Sequence, residues 1–171
     1  MSVSSTNEDE NIQNWEYISQ QSREEYKELQ RAIKKLVHES GKAKFCKIFK
    51  DIVLLIEEYI KRDISNKNER ALICGYLDIG KLLAINTRQI MQLVGKCKSS
   101  INSGFQAIGY KVIPMDAESA VTLMKTFPFL KSQISHTRQW TLRSKEPYVQ
   151  ETEKDIKNLL TKTLAEMPKA N

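Results

Sequence analysis

On a helical wheel through residues 98–109, Ser99, Ser103 and Gln106 fall on one side, with Ser100 and Asn102 on its flanks. Ile101, Phe105 and Ile108 fall on the other side and must face a core. The polar side is short and uncharged. Asn and Gln can make two hydrogen bonds to an adenine edge, and Ser can donate or accept one. Lys96 and Lys98 stand where this helix would begin. The free backbone amides and the positive dipole end at that point also favour an anion. Residues of these types in this order suit contact with base edges between phosphates.

The chain has no acidic residue between Asp78 and Asp116. A surface that approaches phosphates cannot carry uncompensated negative charge, so the gap agrees with the wheel. Over residues 79–145 the basic residues are Lys81, Arg88, Lys96, Lys98, Lys111, Lys125, Lys131, Arg138, Arg143 and Lys145. Only Asp116 and Glu118 oppose them, an excess larger than the +6 of the whole chain. The remainder is therefore net negative, and the asymmetry points to an anionic partner for this one segment.

The elements that must position these residues can be read from periodicity and turn chemistry. Asn86 or Thr87 can cap a short helix whose Ile90, Leu93 and Val94 face inward, and Gly95 supplies a left-handed turn. The second helix stops at Gly109. Residues 110–113 then read as a strand closed by Pro114. Asp116 can cap a helix to about residue 126, ended by Pro128. Residues 138–143 alternate, with Trp140 and Leu142 on one face and Gln139, Thr141 and Arg143 on the other, as in a half-buried strand. Pairing it antiparallel with 110–113 makes a wing with a long connection. Arg138 and Arg143 then either reach phosphates or the minor groove from this wing, or lie on a solvated strand face. Trp140 reads as a core anchor.

Upstream, residues 1–14 are polar and acidic and read as disordered. Residues 15–37 predict a helix with Tyr26, Leu29, Ile33, Leu36 and Val37 on one face, stopped near Gly41. Residues 44–61 predict a core helix striped by Phe45, Ile48, Phe49, Ile52, Leu55, Ile56 and Tyr59. Residues 63–70 read as a loop, and 71–84 are open between short strands and a helix. Residues 152–167 predict an amphipathic helix through Ile156, Leu159, Leu160 and Leu164, packed within the chain. The expected class is mostly α with a small β wing. Its parts are an acidic N-terminus (1–14), an N-terminal amphipathic helix (15–43), a winged helix-turn-helix (44–145) and a C-terminal helix (146–171).

Two quoted stretches carry a family resemblance: Leu93-Val-Gly-Lys-Cys-Lys-Ser-Ser-Ile-Asn-Ser-Gly-Phe-Gln-Ala-Ile-Gly-Tyr110 and Arg138-Gln-Trp-Thr-Leu-Arg143. Together they resemble the initiator-binding domain of protist transcription factors, over about residues 44–145. The resemblance implies a winged-helix fold that recognises the initiator element at transcription start sites. It places Lys98, Ser99, Asn102, Ser103 and Gln106 on the base-reading helix, and Lys96, Arg138 and Arg143 among the backbone contacts. Ser100, Lys111 and Lys145 complete the candidate set. The implied partner is double-stranded promoter DNA, with transcription-machinery proteins as further partners, and the implied compartment is the nucleus. The best-known architecture of that family adds a C-terminal domain that contacts the polymerase tail. Only residues 146–171 follow the wing here, so that role is not expected.

Enzymatic readings find little support. Gly80-Lys81 lacks the preceding glycine and the following Ser or Thr of a phosphate loop. Cys46, Cys74 and His136 have no metal-ligand spacing, so no metal or cofactor is expected. Cys97 between two lysines could have a lowered pKa, but reads first as a small turn residue. Three widely spaced cysteines argue against a disulfide framework. No run is long and apolar enough to span a bilayer, and the N-terminus lacks a signal-peptide layout. The chain is expected to act as a monomer, with a dimer through the flanking helices as the alternative. A helical adaptor whose basic surface meets an acidic protein, or RNA, is the competing class.

Overall fold

The computed structural model describes residues 12–41 and 44–145, and beyond them residues 161, 162 and 165. The largest apolar surfaces belong to two long helices, α1 (Gln20–Glu39) and α2 (Phe45–Lys61), which pack on each other. Tyr26, Leu29 and Ile33 of α1 are buried, and the Tyr26 ring meets Trp15 edge-on at 5.6 Å and Tyr59 of α2 edge-on at 6.4 Å. On α2, Phe49, Ile52, Val53, Ile56, Tyr59 and Ile60 are buried.

α1 begins later than its periodicity predicts. A 3-10 turn (Trp15–Tyr17) precedes it, and Ser19 caps it by accepting from Ser22 N at 3.2 Å. The expected disorder of residues 1–14 fails at its end, because Ile12 and Asn14 are buried against the core. The other residues of that segment, 1–11, and most of the expected helix 152–167, lie outside the described residues.

The expected loop 63–70 is also corrected. A short helix, α3 (Lys67–Cys74), starts inside it, held by tertiary bonds rather than by propensity. Arg70 is fully buried, pairs with Glu25, and donates to Tyr59 O at 3.0 Å and Ser22 Oγ at 3.2 Å. Glu69 accepts from Ser19 N at 2.6 Å. Gly75 ends α3 at φ 71°, and a Cβ there would lie 2.6 Å from Gln89 Cβ, so both conformation and space require glycine.

Residues 76–86 then form a hairpin, β1 (Tyr76–Ile79) and β2 (Leu82–Asn86), turning at Gly80 and Lys81. Next come α4 (Thr87–Val94), α5 (Lys98–Ala107) and β3 (Tyr110–Ile113). Asn86 caps α4 by accepting from Gln89 N at 3.3 Å, and Gly95 (φ 73°) makes the turn to α5. The connection to the last strand is helical: α6 (Ala117–Thr126), capped by Asp116, a 3-10 turn (Pro128–Ser132) and α7 (Ile134–Thr137). β4 (Trp140–Lys145) completes an antiparallel sheet of order β1-β2-β4-β3.

The molecule is mostly helical with a small antiparallel sheet, as expected. The predicted pairing of β3 with β4 is present, with Val112 opposite Arg143. The hairpin partner β2 on the other side of β4 was not predicted. It makes β4 an inner strand, and this changes the fate of Arg143.

Candidate nucleic-acid interface

α5 is anchored by Ile101 and Phe105, both fully buried. The Phe105 ring meets Phe49 of α2 edge-on at 4.8 Å. Gly104 also faces α2, since a Cβ on it would lie 2.5 Å from Phe49 Cδ2. It is thus a contact point between two helices. With this anchor, Lys98, Ser99, Ser103 and Gln106 are exposed, and Ser100 and Asn102 half-buried.

Arg143 departs from the solvated or phosphate-facing position expected of it. It is 2% exposed, because β2 and β3 flank its strand and α5 covers its face. Its Nη2 donates to Asn102 Oδ1 at 2.7 Å, and its guanidinium lies 4.8 Å from the centre of the Phe105 ring. Its Nε has no partner among the described residues, and burial lowers its pKa from the usual arginine value. Arg143 therefore meets Asn102 from inside the protein.

Around Asn102 the surface sinks into an open depression of about 430 Å³. Arg88 and Met91 of α4, Lys98 and Asn102 of α5, Val112 of β3 and Arg138 line it, with no carboxylate among the lining residues. Lys98, Asn102 and Arg138 are thereby brought together. Arg88 joins them, where the sequence alone offers it only as one of the basic residues of 79–145. Its position one turn before Met91, within the acid-free stretch, was the available signal. Lys96 lies apart, half-buried in the α4–α5 turn, with its Nζ 5.7 Å from the Phe45 ring centre. Lys111 is exposed on β3. Lys145 lies over Tyr110, beside Lys50 and Ala107 at the opposite end of α5, and is not part of the depression.

Cys97 occupies the N-cap position of α5. Its Sγ lies 3.2 Å from Ser99 Oγ and 3.3 Å from Ser100 Oγ. Bonds from the Ser100 and Ser99 hydroxyls pull the thiol down to about 6. Among the described residues no group of three His, Cys, Asp or Glu side chains could hold a metal ion, and no helix is long and apolar enough to cross a membrane.

Two helices joined at a glycine, with an outward face free of carboxylates and cations on both sides, form the kind of surface that a nucleic-acid-binding protein presents. The chain belongs to the transcription-initiator DNA-binding domain family, whose model matches residues 19–147. The match extends beyond the resembling segment to include α1. It carries DNA binding in transcription initiation as the general role. No curated protein and no solved structure shows a significant match to the chain.

Proposed function

We propose that this protein binds double-stranded promoter DNA sequence-selectively, at an initiator element, as a monomer in the nucleus. On this reading α5 is the recognition helix of a winged helix and enters the major groove, with the β3–β4 pair as the wing. Asn102, Ser99, Ser103 and Gln106 face base edges, with Ser100 at the margin. Lys98, Arg88 and Arg138 hold phosphates on either side, Lys96 meets the backbone ahead of α5, and Lys111 and Lys145 meet it on the β3 side. Phosphate contacts fix the register, while the amides and hydroxyls supply discrimination.

The observation that carries this reading is the acid-free depression centred on Asn102, whose amide oxygen is occupied by Arg143. With its oxygen held this way, the amide has its NH2 group left to donate. Such a group can donate to N7 of a purine, and the oxygen keeps a second lone pair for an adenine N6 proton. No catalytic role is assigned to any residue. Selection of preferred duplexes from a random pool tests the proposal. One recurrent short motif, bound far better than its scrambled form, is the expected result. A pool that binds without enrichment would remove sequence selectivity from the account.

A further inference from the structure

A second open depression, about 460 Å³, lies between α1 and the α4–α5 turn. Its α1 wall carries Lys27, Arg31 and Lys34, which recur at i, i+4 and i+7 and so share one face. Its other wall carries Lys96, and no carboxylate lines it. Gln30 of α1 donates to Gln92 O at 3.4 Å, which ties the two walls together.

The cations here differ from those elsewhere on the surface. Lys35, which does not line this depression, pairs with Glu39 at 3.8 Å, and Arg62 pairs with Glu58 at 3.4 Å. Among the described residues no carboxylate pairs with Arg31, Lys34 or Lys96. Lys27 and Lys96 lie over the aromatic faces of Trp15 and Phe45, at 5.5 and 5.7 Å. Like charges at i,i+4 oppose one another, so this face gains when an anion arrives.

Lys96 joins this groove to the depression around Asn102. It stands two residues before Lys98, which lines that depression at the first turn of α5. We infer that the Lys27–Arg31–Lys34 face of α1 is a second phosphate-binding ledge, holding the sugar–phosphate backbone of the same duplex beyond the N-terminal end of α5. The inference rests on the DNA-binding reading above and adds a surface to it. From Lys27 to Lys34 the helix rises ~10 Å. Along the duplex axis that length covers about three phosphates of one strand. Contacts of this kind carry no sequence information, so the ledge lengthens the footprint and raises affinity without changing the motif read.

The double variant Arg31→Gln, Lys34→Gln of the full chain tests this. Both side chains are exposed, so the fold should persist, with an unchanged thermal melt as the check. Affinity is measured across a salt series on two duplexes sharing one centre. One is trimmed to the span of α5, and the other is longer by about one helical turn on each side. The wild type should bind the longer duplex with a steeper salt dependence. The variant should lose about 1.8 from that slope on the longer duplex and almost nothing on the trimmed one. Over a fourfold rise in salt this is a difference of about 12-fold. A variant that keeps the wild-type slope on the longer duplex, while the wild type remains steep, overturns the ledge alone. A polyglutamate peptide that binds the wild type but not the variant, without displacing the longer duplex, would give the groove to an acidic protein segment instead. A wild type with no salt dependence on either duplex removes the DNA reading and the ledge with it.

Discussion

Arg143 Nη2 donates to Asn102 Oδ1 at 2.7 Å, so a cation buried in the sheet holds the α5 amide that lines the acid-free depression. Among the described residues no carboxylate pairs with this guanidinium. Its charge is met by the Asn102 oxygen and the Phe105 ring. Replacing it by Gln removes both contacts. We expect Arg143→Gln to lower stability by about 2–4 kcal/mol in chemical denaturation. It should also narrow the preference for the best site over random DNA, because the Asn102 amide is then free to rotate. The salt slope should not change, since this arginine does not reach a phosphate. A slope flattened by about one would put Arg143 on the DNA backbone.

Asn102 and Gln106 should behave differently from Lys98 and Arg138. Replacing either amide by Ala should cost about 1–3 kcal/mol on the selected duplex and little on random DNA. Replacing either cation should weaken both duplexes alike and reduce the salt slope by about one. Equal losses on both DNAs for the amide variants would mean that another face of α5 meets the bases.

The packing beneath α5 makes its own demand. Gly104 leaves room for the Phe49 ring, and a methyl group there would sit 2.5 Å from Cδ2. Gly104→Ala should therefore cost about 1–3 kcal/mol through overpacking. Phe105→Ala should cost about 3–5 kcal/mol by emptying a buried aromatic site. Thermal melts measure both. A Gly104→Ala variant as stable as the wild type would show that the two helices can part at no cost.

What could be read in advance was what depends on near neighbours in sequence. The α2 stripe, the Asn86 cap, the Gly95 turn and the buried side of α5 all follow from local spacing. The hairpin β1–β2 showed only as one of two open readings of 71–84, short strands or a helix, because 82–86 is buried almost throughout and offers no alternation. The burial of Arg70, at the end of the expected loop, and of Arg143, expected to be DNA-facing or solvated, did not show because their partners lie far off in sequence: Glu25 and Tyr59 for one, Asn102 and Phe105 for the other. Gly104 sits three residues from Ile101 and one from Phe105. The wheel therefore held the clue to its packing, but not the identity of the ring it touches. Arg88 entered the site only once the fold brought α4 beside Arg138.

Cys97 gives a pH-dependent readout at the start of α5. Its thiol is lowered to about 6 by the Ser100 and Ser99 hydroxyls, so the thiolate predominates above that pH and is lost below it. Alkylation by iodoacetamide should level off above about pH 7 and slow as the pH falls through 6. Cys74 is fully buried and its thiol is pushed up by desolvation, so it should stay unmodified in the folded protein. A Cys97 rate that still climbs through the ordinary thiol range of about 8.5 would contradict the serine contacts. Bound duplex should slow the reaction, because Lys96 and Lys98 flank the thiol.

The central claim is that the cations around α5 hold phosphates while its amides read bases. Affinity for the selected duplex and for its scrambled counterpart, each followed across a salt series, tests this most directly. With about five phosphates neutralised, log K should fall with log salt at a slope of about −4.5 on both duplexes. The selected duplex should bind about 10³-fold or more tighter throughout. Two slopes near zero, or two curves that coincide, would contradict the account.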